Sequence, residues 1–294
     1  METLSPKIKS TFVDPFEYEW VPSSFDNLLI EIEHIHKRAS KDDALILYRG
    51  QADNDWLLDS TFVRNSILSL FKINNYFDIL RSIREQISFH RAIASLFLMK
   101  FDKIIQPSNE AVEIEKTYGI DPYYELLKNI QQYPENYSTI QFIQGTNLID
   151  WTVDQKIALF FGAYEGQKGE VKLRESHGSL WIYDASSTGK ILQTDKMKKI
   201  LSLMAAPEFL NAERSLPLMF HPKKQTNQKR AKHQKPIYIA QMDFRYDLAD
   251  IWAISDRNNK KMTFVKIHIL KDIKSKLVKY LERKGIDENY VFPD

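Results

Sequence analysis

What most constrains the fold of this chain is a pair of separated segments, Leu47-Tyr48-Arg49-Gly50-Gln51-Ala52-Asp53 and Thr146-Asn147-Leu148-Ile149-Asp150-Trp151-Thr152. Each reads as an apolar strand that ends in polar residues, so each brings side chains and backbone to a place where they can face a shared cleft. An arginine at a strand end suits a phosphate or a carboxylate, because its planar fork donates two parallel hydrogen bonds. The second segment leads directly into Ala158-Leu159-Phe160-Phe161-Gly162-Ala163, which is so apolar that it must be buried.

Around these segments the pattern alternates between helix and strand. Leu28, Leu29, Ile32, Ile35 and Ala39 recur at helical spacing behind Ser23 and Ser24, which predicts a capped helix over 24–39. A strand over 44–49 and a turn at Asp53-Asn54-Asp55 follow. Ile79, Ile83, Ile87 and Ala94 lie on one face of a long helix over 76–101. Asp121-Pro122 opens another helix over 123–131. Thr152-Val153-Asp154-Gln155 reads as a capping box, with Thr152 as the cap of a helix over 154–165 that Gly166 closes. The polar run 167–178 reads as a surface loop. Strands are expected over 179–184, 237–240 and 264–269, a helix over 195–204, and a polar loop over 256–261. A last amphipathic helix carries Ile273, Leu277, Tyr280 and Leu281 and stops at Gly285. With no repeat and no long linker, these elements make one α/β or α+β domain from residue 44 onward, with a helical insertion at about 66–132. Residues 1–43 read as an extension that packs on it through Phe12, Phe16, Tyr18 and Trp20.

Composition narrows the chemistry. The chain has no cysteine, which removes disulfides, thiolate metal sites and cysteine nucleophiles. Its net charge of +2 gives no global attraction to nucleic acid or membrane. No apolar run approaches the roughly 18 residues of a membrane helix, so a soluble, cytoplasmic protein is expected. No histidine spacing resembles a zinc site, so no metal is expected. Neither a Gly-x-Ser-x-Gly elbow nor a Gly-x-x-x-x-Gly-Lys loop is present. The dense basic run over 221–235 is either a solvated loop or a phosphate-tracking arm; Lys229, Arg230 and Lys232 are its candidates for contact with a nucleic-acid or protein target.

Four blocks of the chain resemble, in order, the FRG domain family, named for a Phe-Arg-Gly tripeptide. The first is Leu47-Tyr48-Arg49-Gly50-Gln51 with Trp56, Leu58, Ser60, Phe62 and Arg64. The second runs from Gln141 to Phe161 and matches a block that ends in Leu-Leu-Asp-Trp-Thr before an apolar helix. The third is Arg230, Gln234 and Ile237-Tyr238-Ile239; the fourth is Gly285-Ile286 with Val291-Phe292-Pro293-Asp294. The chain departs from the family where a customary His is Gln141, a Pro is Gly145 and an Arg is Asn147.

The resemblance implies an α+β, ADP-ribosyltransferase-like fold, a pair of small mixed sheets with NAD between them. It implies that Arg49, with Gln51, Gln141 and Thr146, binds the dinucleotide, and that Asp150 or Gln234 steadies the positive charge that develops as nicotinamide leaves. Gln234 stands where glutamate is customary and brings no negative charge. The implied function is therefore an ADP-ribosyltransferase or NAD glycohydrolase, in a toxin or defence setting. A nucleotide-binding module without catalysis, and an interaction domain for protein or nucleic acid, are the alternatives. Read without the family, Arg49 equally suits a buried pair with a carboxylate such as Asp150, and Asp150 suits the dipole of the helix that follows.

Overall fold

A computed structural model describes residues 17–41, 44–61, 63–64, 148–166, 168–186, 192–193, 218–220, 229–241 and 247–293. The expected insertion at 66–132, its helices, and the helix over 195–204 lie outside the described residues.

The strands are β1 (Glu19–Trp20), β2 (Ile46–Gln51), β3 (Leu148–Thr152), β4 (Tyr164–Glu165), β5 (Lys172–Leu173), β6 (Gly178–Asp184), β7 (Leu192–Gln193), β8 (Leu218–Phe220), β9 (Pro236–Ala240) and β10 (Phe264–Ile269). The helices are α1 (Phe25–Lys41), α2 (Gln155–Ala163), α3 (Lys229–Gln234), α4 (Leu248–Asn259), α5 (Lys271–Arg283) and α6 (Glu288–Val291). Among the described residues eight strands form one mixed sheet in the order β1-β10-β6-β2-β3-β9-β8-β7, and β4 and β5 form a small hairpin. The fold is α+β. Among the described residues the larger sheet, with the small two-stranded one beside it, is one continuous hydrogen-bonded sheet. Its halves nevertheless meet thinly: β2 pairs with β6 at six positions, yet with β3 only at Tyr48 and Thr152.

Strand alternation divides the apolar residues between two layers. On one face Tyr48, Leu180, Ile182, Ile267 and Ile269 pack against Leu28 and Ile32 of α1, Ile157 to Phe160 of α2, and Ile273, Leu277 and Leu281 of α5. On the other face Leu47, Trp151, Trp181, Tyr183 and Ile239 pack against Leu248, Ile251 and Trp252 of α4. Tyr183 stacks flat on Trp252 with centroids 3.9 Å apart. Residues 17–41 join this fold: β1 pairs with β10, Tyr18 stacks on Phe264 at 4.3 Å, and Ser24 Oγ accepts the Asn27 N–H at the start of α1, while Phe12 and Phe16 lie outside the described residues.

Three local expectations are corrected. Asp154, not Thr152, caps α2; its carboxylate accepts the Lys156 N–H at 3.0 Å. Thr152 is still a strand residue paired with Pro236, so the helix cannot begin there. The run 167–178 is not all loop, because Lys172–Leu173 return as β5 against Tyr164–Glu165, which have already left the helix. The expected loop at 256–261 is mostly the end of α4, whose cap Asp247 accepts the Asp250 N–H at 2.9 Å. Its polar last turn hides an inward carboxylate: Asp256 is 1% exposed and accepts both the Thr263 N–H and hydroxyl at 2.8 Å.

Candidate functional site

The thin join between β2 and β3 opens a cleft of about 280 Å³. Arg49, Gly50 and Gln51 line it from β2, Asp150 and Thr152 from β3, and Ile157, Ala158 and Phe161 from α2. Tyr164, Glu165 and Gly166 close it from the hairpin side, and Arg230 and Gln234 from α3. The two constraining segments of the sequence are thus brought to one place.

Arg49 does not hydrogen-bond the Asp150 carboxylate. Its Nη1 donates to the Asp150 main-chain carbonyl at 2.6 Å, and its buried Nε has no hydrogen-bond partner among the described residues. Burial lowers the guanidinium pKa to about 10, against the opposing charge of Asp150, and it stays protonated at neutral pH. Arg64, also on the lining, donates from Nη2 to Thr61 Oγ1 at 3.2 Å. Burial lowers its pKa too, opposed by the charges of Asp59 and Asp150. Asp150 itself is exposed, between two cations in an electrostatic sense and open to solvent.

Two of the expected site residues are bound into the framework. Gln51 is 2% exposed; its Nε2 donates to the Leu57 carbonyl at 3.1 Å, and its Oε1 accepts from Trp181 Nε1 at 2.7 Å. Gln234 donates from Nε2 to the Val291 carbonyl at 3.0 Å, while its main-chain carbonyl accepts from Thr152 Oγ1 at 2.7 Å. Both touch the cleft, yet the amide nitrogen of each already has a partner. Gln141 and Thr146 lie outside the described residues.

The basic run resolves differently from a loop where it is described. Residues 229–234 are helix α3, with Lys229 at its first position and Lys232 exposed. Arg230 instead lines the cleft, its guanidinium 4.8 Å from the Phe292 ring centroid and its Nε buried with no hydrogen-bond partner among the described residues. Only its place in the third block of the resemblance separates it in sequence from its basic neighbours, and the fold sets it on the cleft.

A further wall was not foreseen. Asp53 Oδ1 accepts the Asp55 N–H at 3.0 Å, which makes the expected turn, and the turn presents Trp56 to the cleft. Arg174 lies 5.1 Å from the Trp56 ring and bridges Asp53, at 2.8 Å, and Glu165. Burial alone would raise the Asp53 pKa, but the Asp55 N–H and Arg174 outweigh it and hold the carboxyl below its ordinary value. This clamp ties the β4–β5 hairpin to the turn. Nothing local in the sequence pairs Arg174 with residues so far away.

Among the described residues no group of three or more His, Asp or Glu side chains is placed to hold a metal ion, and no helix is long and apolar enough to cross a membrane. Comparison of the chain with protein families, with curated proteins and with solved structures finds no match.

Proposed function

We propose that the cleft binds a nicotinamide dinucleotide and breaks the bond between its nicotinamide and ribose, passing ADP-ribose to water or to an acceptor. The observation that carries this reading is the lining of the cleft: an exposed carboxylate, Asp150, lies in the field of Arg49 and Arg64 and shares the cleft with a third arginine, Arg230, and with Trp56. Guanidinium forks match phosphate oxygens, and aromatic walls match a planar base. When the carbon–nitrogen bond breaks, its electron pair goes to the nicotinamide nitrogen, which leaves neutral, and positive charge develops on the ribose. A fixed carboxylate stabilises that charge, and positioning supplies much of the remainder. Water then adds to the ribose carbon and gives up one proton, or an acceptor does the same. The FRG resemblance implies the same chemistry. Of the two candidates that it names, Asp150 takes the charged role, since Gln234 is neutral and engaged with Val291. Such an activity depletes NAD, which suits a toxin or defence protein.

The test is nicotinamide release from NAD by the purified protein, with Asp150→Asn alongside after its melting curve has shown it folded. The expected outcome is release by the wild type and loss of at least about a hundredfold in the variant. The neutral Gln234 favours a second reading, a binding module without catalysis. That reading is chosen if NAD raises the melting temperature but no nicotinamide appears. Neither release nor a melting shift removes both.

A further inference from the structure

Arg49 and Arg230 reach the same cleft from different elements, β2 and α3, and share an unusual feature. Each has a buried Nε without a hydrogen-bond partner, and among the described residues neither guanidinium is hydrogen-bonded to a carboxylate. A buried charged donor with no acceptor is costly to keep. Both side chains line the cleft, so a ligand there that brings acceptors to the two guanidinium groups offsets part of that cost. A single carboxylate serves one fork. A diphosphate offers oxygens on two phosphorus atoms joined by a short bridge, so one ligand can present acceptors to two forks.

The surroundings of Arg230 support this use. Its guanidinium lies on the ring of Phe292, itself 3% exposed. The chain just before that ring is fastened to α3: Gln234 Nε2 donates to the Val291 carbonyl at 3.0 Å, and His233 Nδ1 donates to the Tyr290 carbonyl at 2.7 Å. The His233 and Tyr290 rings also touch, with centroids 4.5 Å apart. A cation held this way loses little freedom when an anion arrives, which raises affinity without any added contact.

We infer that Arg49 and Arg230 together hold the diphosphate of the ligand, and that residues 290–292 near the C-terminus fix Arg230 for that task. Gln234 is then a positioning residue, acting through Arg230. The inference rests on the nucleotide reading above, and the experiment separates the two. ADP and AMP share base and ribose and differ by one phosphate, so calorimetric titration of the full chain with each isolates the second phosphate. The wild type is expected to bind ADP about tenfold or more tightly than AMP, the ratio one charge-assisted hydrogen bond supplies. In Arg230→Gln that ratio falls toward one. Lys232→Gln removes the same charge from an exposed position of the same helix and leaves the ratio as it was. Phe292→Ala, once its melt shows a folded protein, also lowers the ratio, whereas a purely structural loss weakens both nucleotides alike. A ratio unchanged in Arg230→Gln, or equal weakening of ADP and AMP, overturns the inference. Binding by the wild type with no preference sinks the inference alone; no binding of either nucleotide sinks the nucleotide reading with it.

Discussion

Gly50 follows the cleft arginine, and its reason for being glycine is steric. It lies where β2 meets α2. A Cβ there would stand 2.5 Å from the Gly162 nitrogen and 2.8 Å from the Ala158 carbonyl carbon, overlapping the carbonyl oxygen, whereas ordinary contact begins at 3.4 Å. In Gly50→Ala the helix must therefore retreat by roughly 1 Å or the strand must bend away. No side chain can rotate to absorb this, because the opposing atoms are backbone. Nor is the helix free to move: Ile157, Ala158, Leu159 and Phe160 are all buried. Overpacking a core costs about 1–3 kcal/mol and sometimes more, and a backbone clash belongs at the upper end, about 3 kcal/mol. That is a large share of the roughly 5–15 kcal/mol that holds a domain together. Urea denaturation followed by tryptophan fluorescence measures it. Because Ile157, Ala158 and Phe161 line the cleft, a shift of α2 also lowers the melting shift given by a nucleotide. Gly169→Ala is the control: its φ is +81° and nothing lies within 4 Å, so only left-handed strain of about 1–2 kcal/mol is expected. A Gly50→Ala protein within about 0.5 kcal/mol of wild type would show the steric reasoning to be wrong.

Burial raises the Asp59 pKa to about 6, with the Gln241 amide hydrogen bond opposing. Its contribution to stability is therefore full below the ordinary value near 4 and lost as pH rises through 6. Asp59→Asn keeps an acceptor for Gln241 and should exceed wild type above pH 6 by on the order of 2 kcal/mol, with little gain at pH 4; parallel urea-midpoint profiles contradict this. Lys274 is 1% exposed and donates to the Ala52 and Arg174 carbonyls at 2.9 and 3.2 Å. Lys274→Met strands both acceptors and should cost about 1–3 kcal/mol by urea denaturation. Burial also lowers the Lys274 pKa to about 8, so the wild type gains stability as pH climbs from 8 toward the ordinary lysine value, a rise that the Met variant lacks. Asp154→Ala removes the α2 cap and should lower stability at pH 7 by about 0.5–2 kcal/mol, with a thermal melt unchanged from wild type as the contrary result. Burial alone would raise the Asp154 pKa, but Lys235 and the Lys156 N–H hold it below its ordinary value. The loss is therefore present above pH 4 and fades as pH falls through that lowered value.

The parts of the fold legible in the sequence are those where local rules and burial agree. Phe264–Ile269 alternates so regularly that its limits are read directly, and α1 begins behind its serine cap as the pattern says. Boundaries shift where a long-range contact competes with a local motif. Thr152 has the form of a helix cap, yet β9 claims its backbone and Gln234 its hydroxyl, so capping passes to Asp154. The last turn of α4 is polar enough to read as loop, and only its contact with Thr263 explains the buried Asp256. In the site, Arg49 and Asp150 are marked by standing at the ends of apolar runs. Arg230 and Trp56 carry no such mark. Their approach to the cleft depends on α6 buttressing α3 and on Arg174 reaching Trp56, contacts between residues distant in sequence.

Arg49 admits two readings in sequence, structural pairing and ligand binding, and the geometry makes them compatible. Asp150 is paired with Tyr238 of β9, while toward β2 the ladder stops at Tyr48 and Thr152. The main-chain acceptor at that break lacks a ladder partner on the β2 side. Arg49 Nη1 takes the place of the missing ladder N–H on the Asp150 carbonyl. That uses one of the five donors of a guanidinium, and the buried Nε has none of its demand met. A lysine could fill the first role or the second but has no rigid fork with which to serve both. The cleft exists because two strands stop pairing, and the side chain that repairs the break is the one the proposed ligand would meet.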